Sequence, residues 1–374
     1  MELTYTATCL FGLEGLLGEE IDALGGKRTD GIDGRITFTG DENSCAEFSV
    51  NLRYAERLYL NLGSFDATTF TELFDGVKAL PWENYISRND EFPVSGHSIK
   101  SKLFSVPDCQ KIIKKAVAVR LGEKYGLTSL PETGTRYRIE FFLFKDKATL
   151  MIDLSGMPLH KRGYRPETVM APIRETLAAA MVKLARPREN VLLWDPFCGS
   201  GTIAIEAAML MKNIAPGIAR HFAAESYPIF PASSWKNAFE KAHDSIRQTE
   251  FEAYASDIDD SCVEIAKASA ERAGVADRLN IFTMDALDID TLGRRGTIVT
   301  NPPYGERLLN KEEAEELYRA MGQAFLRLDR WQIYVITQHE DFCRLYGRRA
   351  DKIRKLYNGM IPCYYYQFFK NRDK

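Results

Sequence analysis

The chain has 374 residues, which is more than one average hydrophobic core requires, so two or three domains are expected. Hydrophobic residues make up 45% and charged residues 27%, as in ordinary globular proteins, and the net charge of −3 excludes a surface that is basic throughout but leaves room for a local basic patch. Seven cysteines without a C-x-x-C pair or zinc-like spacing predict a reduced cytoplasmic protein without a metal, and neither a signal peptide nor a membrane-spanning run is visible.

The first 45 residues predict a small α+β unit. Residues 4–9 alternate like a strand, and leucines with Ile21 then follow at helical spacing. Gly25 and Gly26 end that helix, and residues 34–38 predict a second strand. Nothing in this unit indicates a function by itself.

Residues 45–155 predict a second unit. Helical patterns cover residues 51–62 and 69–80, a strand runs into a polar loop at 92–103, and a helix begins at Pro107. Strands follow at 137–144 and 148–154. The loop and the helix form the densest cationic region of the chain, and two interpretations stay open: a solvated helix face, or a surface that contacts RNA phosphates. The lysines concerned are Lys100, Lys102, Lys111, Lys114 and Lys115.

Residues 156–170 read as a linker that is rich in cationic side chains. Lys161, Arg162 and Arg165 lie in it. Donors beside a domain boundary either grip an RNA backbone or brace the following domain, and the sequence leaves both possibilities open.

Alternating strands and helices from residue 171 to residue 374 predict a parallel α/β domain. An insert at 212–250 is longer than an ordinary connection, and long loops beside a site are often functional. The predicted strands lie at 191–194, 252–257, 279–284, 296–300, 331–337 and 362–369, and the predicted helices at 174–184, 202–212, 260–273 and 312–328.

The sequence D-P-F-C-G-S-G, from Asp195 to Gly201, joins a predicted strand to a predicted helix. This geometry lets backbone N–H groups approach a ligand closely. The turn is not a phosphate-binding P-loop, because no Gly-Lys-Ser/Thr follows, and it fails the dinucleotide fingerprint because residue 204 is alanine. The carboxylate of Asp195 would repel a pyrophosphate and attract a cation such as the α-ammonium of a methionine moiety. Cys198 is interpreted as a small residue in a tight turn.

Two more acids follow the next two strands. Asp257 suits the hydroxyls of a ribose, and Asp285 can accept from an adenine amino group. Each acid alone is a common turn residue, but three in order predict one crevice at the carboxyl edge of the sheet. The predicted cofactor-binding residues are Asp195, Pro196, Phe197, Cys198, Gly199, Gly201, Thr202, Asp257, Ile258, Asp285, Ala286 and Asn301.

The sequence N-P-P-Y, from Asn301 to Tyr304, follows another apolar strand. Pro302 and Pro303 make the turn rigid, so the oxygen acceptors beside them have fixed positions. An aromatic ring stands next to these acceptors. The stretch therefore predicts a site for a flat nitrogenous base.

Together these motifs resemble the class I S-adenosylmethionine-dependent methyltransferases, in particular those that methylate exocyclic amines of bases. Residues 159–165 (LHKRGYR), 171–179 (APIRETLAA) and 301–308 (NPPYGERL) are similar to the THUMP-domain RNA methyltransferases, and most similar to the bacterial 23S ribosomal RNA guanine-N2 enzymes. The resemblance covers essentially the whole chain. It implies a ferredoxin-like domain over 1–45, a THUMP RNA-binding domain over 45–155, a linker over 156–170 and a Rossmann-like methyltransferase domain over 171–374.

The resemblance also implies roles for the site. S-adenosylmethionine would be the cofactor, and 23S ribosomal RNA or an assembly intermediate the partner, with no membrane or metal involved. Asn301 Oδ1 and the Pro302 carbonyl would accept hydrogen bonds from the target amine, and Tyr304 would stack on the extruded base. Two alternatives stay open: an adenine-N6 methyltransferase acting on DNA, and a non-catalytic RNA-binding or ribosome-assembly factor.

Overall fold

The computed structural model describes residues 1–166, 173–303 and 310–369. Over these residues the chain forms two seven-stranded sheets, the first built from the N-terminal half. The elements of that half are β1 (Glu2–Thr8), α1 (Glu14–Ala23), β2 (Lys27–Ile32), β3 (Arg35–Asp41), α2 (Ser44–Asn51), β4 (Arg57–Asp66), α3 (Phe70–Ala79), β5 (Val94–Ile99), α4 (Val106–Tyr125), β6 (Ile139–Phe144) and β7 (Lys147–Asp153).

The first sheet runs without interruption through both predicted N-terminal units. Its strand order is β2-β3-β1-β4-β7-β6-β5, and the antiparallel pairing of β4 with β7 joins the two units. Along β6, Ile139, Phe141 and Leu143 are buried in the same core as α3 and α4, whereas the alternate residues are partly exposed. One face of the sheet is therefore packed beneath helices, and the other is more open.

One predicted element of this half is wrong. Residues 51–62 do not form a helix, because α2 ends at Asn51 and β4 begins at Arg57. The pairing of β4 with β1 and β7, far away in sequence, decides its conformation against the local apolar spacing. The helix predicted at 69–80 is confirmed as α3, which begins with a capping box between Thr69 and Glu72.

The second sheet belongs to the C-terminal half. It is parallel except for one strand, and its order confirms the predicted Rossmann-like class. The elements are α5 (Glu175–Ala185), β8 (Leu192–Asp195), α6 (Thr202–Met211), α7 (Ala232–Asp244), β9 (Ala253–Asp257), α8 (Asp260–Arg272), β10 (Leu279–Thr283), β11 (Gly296–Thr300), α9 (Lys311–Phe325), β12 (Trp331–Thr337), α10 (Phe342–Tyr346), β13 (Lys352–Asn358) and β14 (Ile361–Phe368).

The strand order β10-β9-β8-β11-β12-β14-β13 has its switch point between β8 and β11, where successive crossovers depart to opposite sides. Ligands of open α/β sheets bind in the crevice at this point, outside the carboxyl ends of the strands. The only antiparallel strand of the described sheet, β14, inserts between β12 and β13. The sequence did not predict β13, whose charged residues resemble those of a loop.

The insert at 212–250 attaches the C-terminal half to the first sheet. Its helix α7 packs against α2, where Ser234 Oγ donates to Asn43 Oδ1 (2.7 Å) and Lys241 pairs with Glu47 (2.8 Å). In the part of the chain that the structure describes, no helix is long and apolar enough to cross a membrane.

Candidate active site

Two predicted motifs meet at the switch point of the second sheet. Asp195 is the last residue of β8, and Thr300 is the last residue of the neighbouring strand β11. The Thr300 hydroxyl donates a hydrogen bond to Asp195 Oδ1 (2.7 Å), and the Phe197 N–H donates to the same oxygen (3.3 Å). The glycine-rich turn and the N-P-P turn therefore begin side by side.

The turn from Asp195 to Gly201 is held by backbone hydrogen bonds. Cys198 N–H donates to the Ser256 carbonyl (2.9 Å), and Gly201 N–H donates to the Cys198 carbonyl (2.8 Å). Gly201 has φ +79°, and a Cβ there would lie 3.0 Å from the Cβ of Ala266 on α8, so the residue must be glycine. A Cβ on Gly199, by contrast, would meet nothing within 4 Å, because open space lies in front of the turn.

Burial sets the charge properties of the turn. Asp195 is 1% exposed, and this burial raises the pKa of its carboxyl to about 7. A cationic partner in the open space would restore the ionised form. Burial also raises the pKa of the Cys198 thiol well above its ordinary value, which agrees with a structural cysteine rather than a nucleophile. Thr202, also buried, is the first residue of α6, and Pro196 is buried as well.

The acids that follow β9 and β10 lie next to this turn. Asp257 accepts from Gly199 N–H (2.9 Å) and Asp259 N–H (3.1 Å), which leaves lone pairs on both oxygens for a ligand. Asp285 accepts from Leu287 N–H (2.9 Å), and Ala286 is buried behind it. The neighbouring Ile258 side chain is 71% exposed, an apolar surface that suits a flat ring.

The N-P-P turn presents an acceptor that nothing in the described chain uses. Asn301 Oδ1 is buried and has no hydrogen-bond partner among the described residues. Buried polar atoms almost always have a partner, so this oxygen is suited to a donor from a bound molecule. Tyr304, like residues 305–308 of the same motif, lies outside the described residues.

Three supporting residues were not predicted from the sequence. Tyr318 on α9 donates its hydroxyl hydrogen bond to the Pro303 carbonyl (3.1 Å) and also lies 2.9 Å from Thr337 Oγ1, so it fixes the turn. Thr300 ties the turn to Asp195. A threonine that ends an apolar strand was a usable signal for Thr300, whereas nothing local marks Tyr318 or Thr337.

The predicted RNA-contacting lysines fall into two groups. Lys100, Lys102, Lys111 and Lys115 are exposed in the loop after β5 and on α4. Lys114 is different, because its ammonium lies 3.6 Å from the ring centroid of Phe92 and pairs with Glu132. It holds the unit together and has little freedom to reach a phosphate.

The linker cations also require a correction. Arg162 is 2% exposed and donates to the carbonyls of Leu159 (2.7 Å) and Arg53 (2.6 Å) beside Glu206. Arg165 pairs with Glu175 (2.8 Å). The bracing alternative therefore applies to these two arginines, since their donors are used within the protein. Lys161 remains exposed.

In the described ranges no group of three or more His, Cys, Asp or Glu side chains is placed to hold a metal ion. The crevice presents an acid beside a glycine-rich turn and an unused amide oxygen. Open space at Gly199, the buried Asp195 and the unpartnered Asn301 Oδ1 fit a cationic, sulfonium-type cofactor that lies next to an amine.

Comparison with known proteins decides the family. Residues 162–367 match the model of the RMKL-like methyltransferase domain, which is more than half of the chain. The chain belongs to the RMKL-like methyltransferase family. Its cofactor is S-adenosylmethionine. Residues 67–153 match the THUMP domain, and residues 4–59 match the ferredoxin-like domain of the same type of protein. These matches confirm the predicted family and fold class.

Individual relatives agree with this membership. The chain is 44% identical to the "Putative RNA methyltransferase YpsC" of Bacillus subtilis, over 98% of this chain and 96% of that one. It is 32% identical to the ribosomal RNA large subunit methyltransferase K/L of Psychromonas ingrahamii, over 96% of this chain, but it spans only 49% of that protein's length. The structure of SMU.472, a candidate methyltransferase in complex with S-adenosylhomocysteine, superposes with TM-score 0.92 at 39% identity, over 100% of this chain and 99% of that one.

Proposed function

We propose that this protein transfers a methyl group from S-adenosylmethionine to the exocyclic N2 amine of a guanine in 23S ribosomal RNA. The THUMP match over residues 67–153 supports an RNA substrate. The names of two relatives, an RNA methyltransferase and a ribosomal RNA methyltransferase, point the same way. The proposal places the reaction in the cytoplasm, with an RNA-binding unit at 45–155 and the catalytic domain at 171–374.

The proposed cofactor contacts follow from the geometry of the turn. Asp195 would pair with the α-ammonium, the backbone from Pro196 to Thr202 would line the methionine moiety, and Asp257 would accept from the ribose hydroxyls. Ile258, Asp285 and Ala286 would hold the adenine by apolar contact and a hydrogen bond. When bound, S-adenosylmethionine supplies an electrophilic methyl group on a sulfonium.

The observation that carries the proposal is the buried, unpartnered Asn301 Oδ1 at the end of β11. Together with the Pro302 carbonyl it would accept both hydrogens of an exocyclic amine and so aim the nitrogen lone pair at the methyl group. Tyr318 keeps these acceptors fixed through its bond to the Pro303 carbonyl. Tyr304 would stack on the extruded base. The amine gains the methyl group and releases one proton to solvent.

The exposed lysines form a second part of the proposal. Lys100, Lys102, Lys111 and Lys115 would contact RNA phosphates, and Lys161 would extend that contact towards the catalytic domain. Arg162, Arg165 and Lys114 are left out because their cationic groups are engaged within the protein.

Methyl transfer with isotopically labelled S-adenosylmethionine tests the proposal. The substrates are total RNA and genomic DNA from cells that lack the gene, and the labelled product is digested and identified as a nucleoside. We expect label in N2-methylguanosine from the large-subunit RNA and none in DNA. Label in N6-methyladenine of DNA would establish the alternative reaction instead.

A further inference from the structure

A cavity of about 530 Å³ opens on the less covered face of the first sheet. Its volume lies in the range of sites for small molecules and single nucleotides. Its floor is made by residues that alternate with the buried core residues along neighbouring strands. They include Arg35 of β3, Tyr59 of β4, Glu140 and Phe142 of β6, and Met151 of β7.

Arg35 is the central cation of this cavity. Its guanidinium carbon lies 3.3 Å from the ring centroid of Phe142, so the two flat groups stack. Its Nε is buried and has no hydrogen-bond partner among the described residues, and burial lowers the pKa of Arg35 to about 10. The side chain stays charged at neutral pH, lines the cavity and keeps an unused, buried donor.

Three carboxylates also line the cavity, those of Asp33, Glu140 and Asp153, and of these Asp153 is held in a close ion pair with an arginine. Asp153 pairs with Arg57 (2.6 Å) and accepts from Ser155 N–H (3.0 Å). Glu140 accepts from Ser95 Oγ (2.6 Å) and keeps lone pairs directed at the cavity lining. Arg138, on the rim, is exposed and has no carboxylate within ion-pair distance in the described chain. The cavity therefore combines the guanidinium groups of Arg35 and Arg138 with an aromatic ring and with the acceptor oxygens of Glu140.

We propose that this cavity holds one unstacked nucleotide of the RNA substrate, an inference that rests on the proposed function. Arginine donors match the geometry of a phosphate, and the Arg35–Phe142 stack provides a surface for a base. Glu140 can accept from an N–H on the base edge. Proteins that recognise single-stranded RNA on an open sheet use the same combination of aromatic rings and polar edge contacts.

The position of the cavity suits an RNA strand that continues into the active site. Phe11 lines the cavity and packs edge-on against Tyr357 near the end of β13 (centroids 5.4 Å apart, 73° between planes). Strand pairing through β12 and β14 places Ile353 of β13 level with Thr300 of β11. The two residues are three strand spacings, or about 14 Å, apart. Tyr357 lies four residues beyond, about 13 Å towards the carboxyl edge. A few nucleotides would bridge the cavity and Asn301.

Binding of a short fluorescent single-stranded RNA to the full chain tests this site. Arg138→Ala and Phe142→Leu should each weaken binding by about tenfold, as expected for a lost phosphate contact or base stack. The matched control is Lys124→Ala, which removes an exposed cation from the C-terminal end of α4, nine residues or about 14 Å along the helix from Lys115. It should leave binding unchanged. All three variants should keep the wild-type affinity for S-adenosylmethionine.

Two results would overturn the site: wild-type RNA affinity in both cavity variants, or an equal loss in Lys124→Ala. Guanosine monophosphate is the second probe, and a mononucleotide that binds here while the RNA does not would assign the cavity to a free nucleotide. Methylation of RNA with normal binding by the cavity variants would refute this site alone. Loss of RNA binding in those variants, with no methyl transfer by the wild type, would keep the site and refute the proposed reaction.

Discussion

The Thr300 hydroxyl donates a 2.7 Å hydrogen bond to Oδ1 of Asp195, and both side chains are fully buried. This bond joins the strand end that opens the glycine-rich turn to the strand end that leads into Asn301. Through this hydrogen bond the ionisation of Asp195 can influence the position of the N-P-P turn.

Asp195→Asn should stabilise the ligand-free protein at pH 8. Burial raises the pKa of Asp195 from 3.8 to about 7, so the folded chain holds this proton more tightly than the unfolded chain. Stability is therefore lost as the pH rises from about 4 through about 7. At about 1.4 kcal/mol per pKa unit, the uncharged variant should gain up to about 4 kcal/mol at pH 8 and nothing near pH 4. Urea unfolding of the wild type and of Asp195→Asn at both pH values measures this effect. A difference in unfolding free energy between the two proteins that is the same at pH 4 and pH 8 would contradict it.

The affinity for S-adenosylmethionine should rise with pH between 5.5 and 7. The ligand's α-ammonium stays protonated over most of that range, while Asp195 ionises. Binding a cation to an acid that must first ionise strengthens by up to about tenfold per pH unit below its pKa. Calorimetry in the wild type and in Asp195→Asn checks this. If the affinity of Asp195→Asn for S-adenosylmethionine still rises with pH, a group other than Asp195 causes the pH dependence.

Arg162→Ala should destabilise the protein by about 3–5 kcal/mol. Arg162 is buried and pairs with Glu206, so its loss leaves the buried Glu206 carboxylate with one of its two arginine partners, Arg53, and removes the bonds of Arg162 to the Leu159 and Arg53 carbonyls. Lys161→Ala, which removes the neighbouring exposed cation, should change stability little. Chemical unfolding of both variants measures the difference, and equal stabilities would exclude the bracing role.

The lysines of α4 should have two different roles, RNA binding and stabilisation of the fold. Lys111→Ala with Lys115→Ala should reduce the salt dependence of RNA binding, by close to one unit of slope per lost phosphate contact, without loss of stability. Lys114→Ala should instead lower stability by about 1–2 kcal/mol, because its ammonium pairs with Glu132 above Phe92. Fluorescence titrations at several salt concentrations check the first effect. An unaltered salt dependence of RNA binding would indicate that Lys111 and Lys115 belong to a solvated helix face.

The catalytic half was readable from the sequence because its signals are local. Asp195, Gly199 and Gly201 stand in one turn between a strand and a helix, and their spacing alone predicted that turn. Acids after successive parallel strands meet at one edge, so Asp257 and Asp285 could be placed without knowing any long-range contact.

The predictions from sequence failed where contacts between residues far apart in the chain determine the structure. Residues 57–62 become β4 only because β1 and β7 pair with them from both sides. Arg162 and Lys114 were predicted as cations available to RNA, because nothing near them in sequence indicates that they pair with Glu206 and Glu132. The cavity around Arg35 was also invisible, because its lining comes from strands separated by about a hundred residues.

Mass mapping of ribosomal RNA nucleosides tests the central claim most directly. RNA is compared among cells that lack the gene, cells complemented with the wild type, and cells complemented with Asn301→Ala. Because Asn301 Oδ1 is proposed to act mainly during methyl transfer, this variant should transfer methyl groups far more slowly while its RNA binding changes much less. We predict that one N2-methylguanosine of 23S ribosomal RNA disappears in the deletion and returns with the wild type but not with Asn301→Ala. An unchanged set of modified nucleosides in the deletion, or full restoration by Asn301→Ala, would contradict the account.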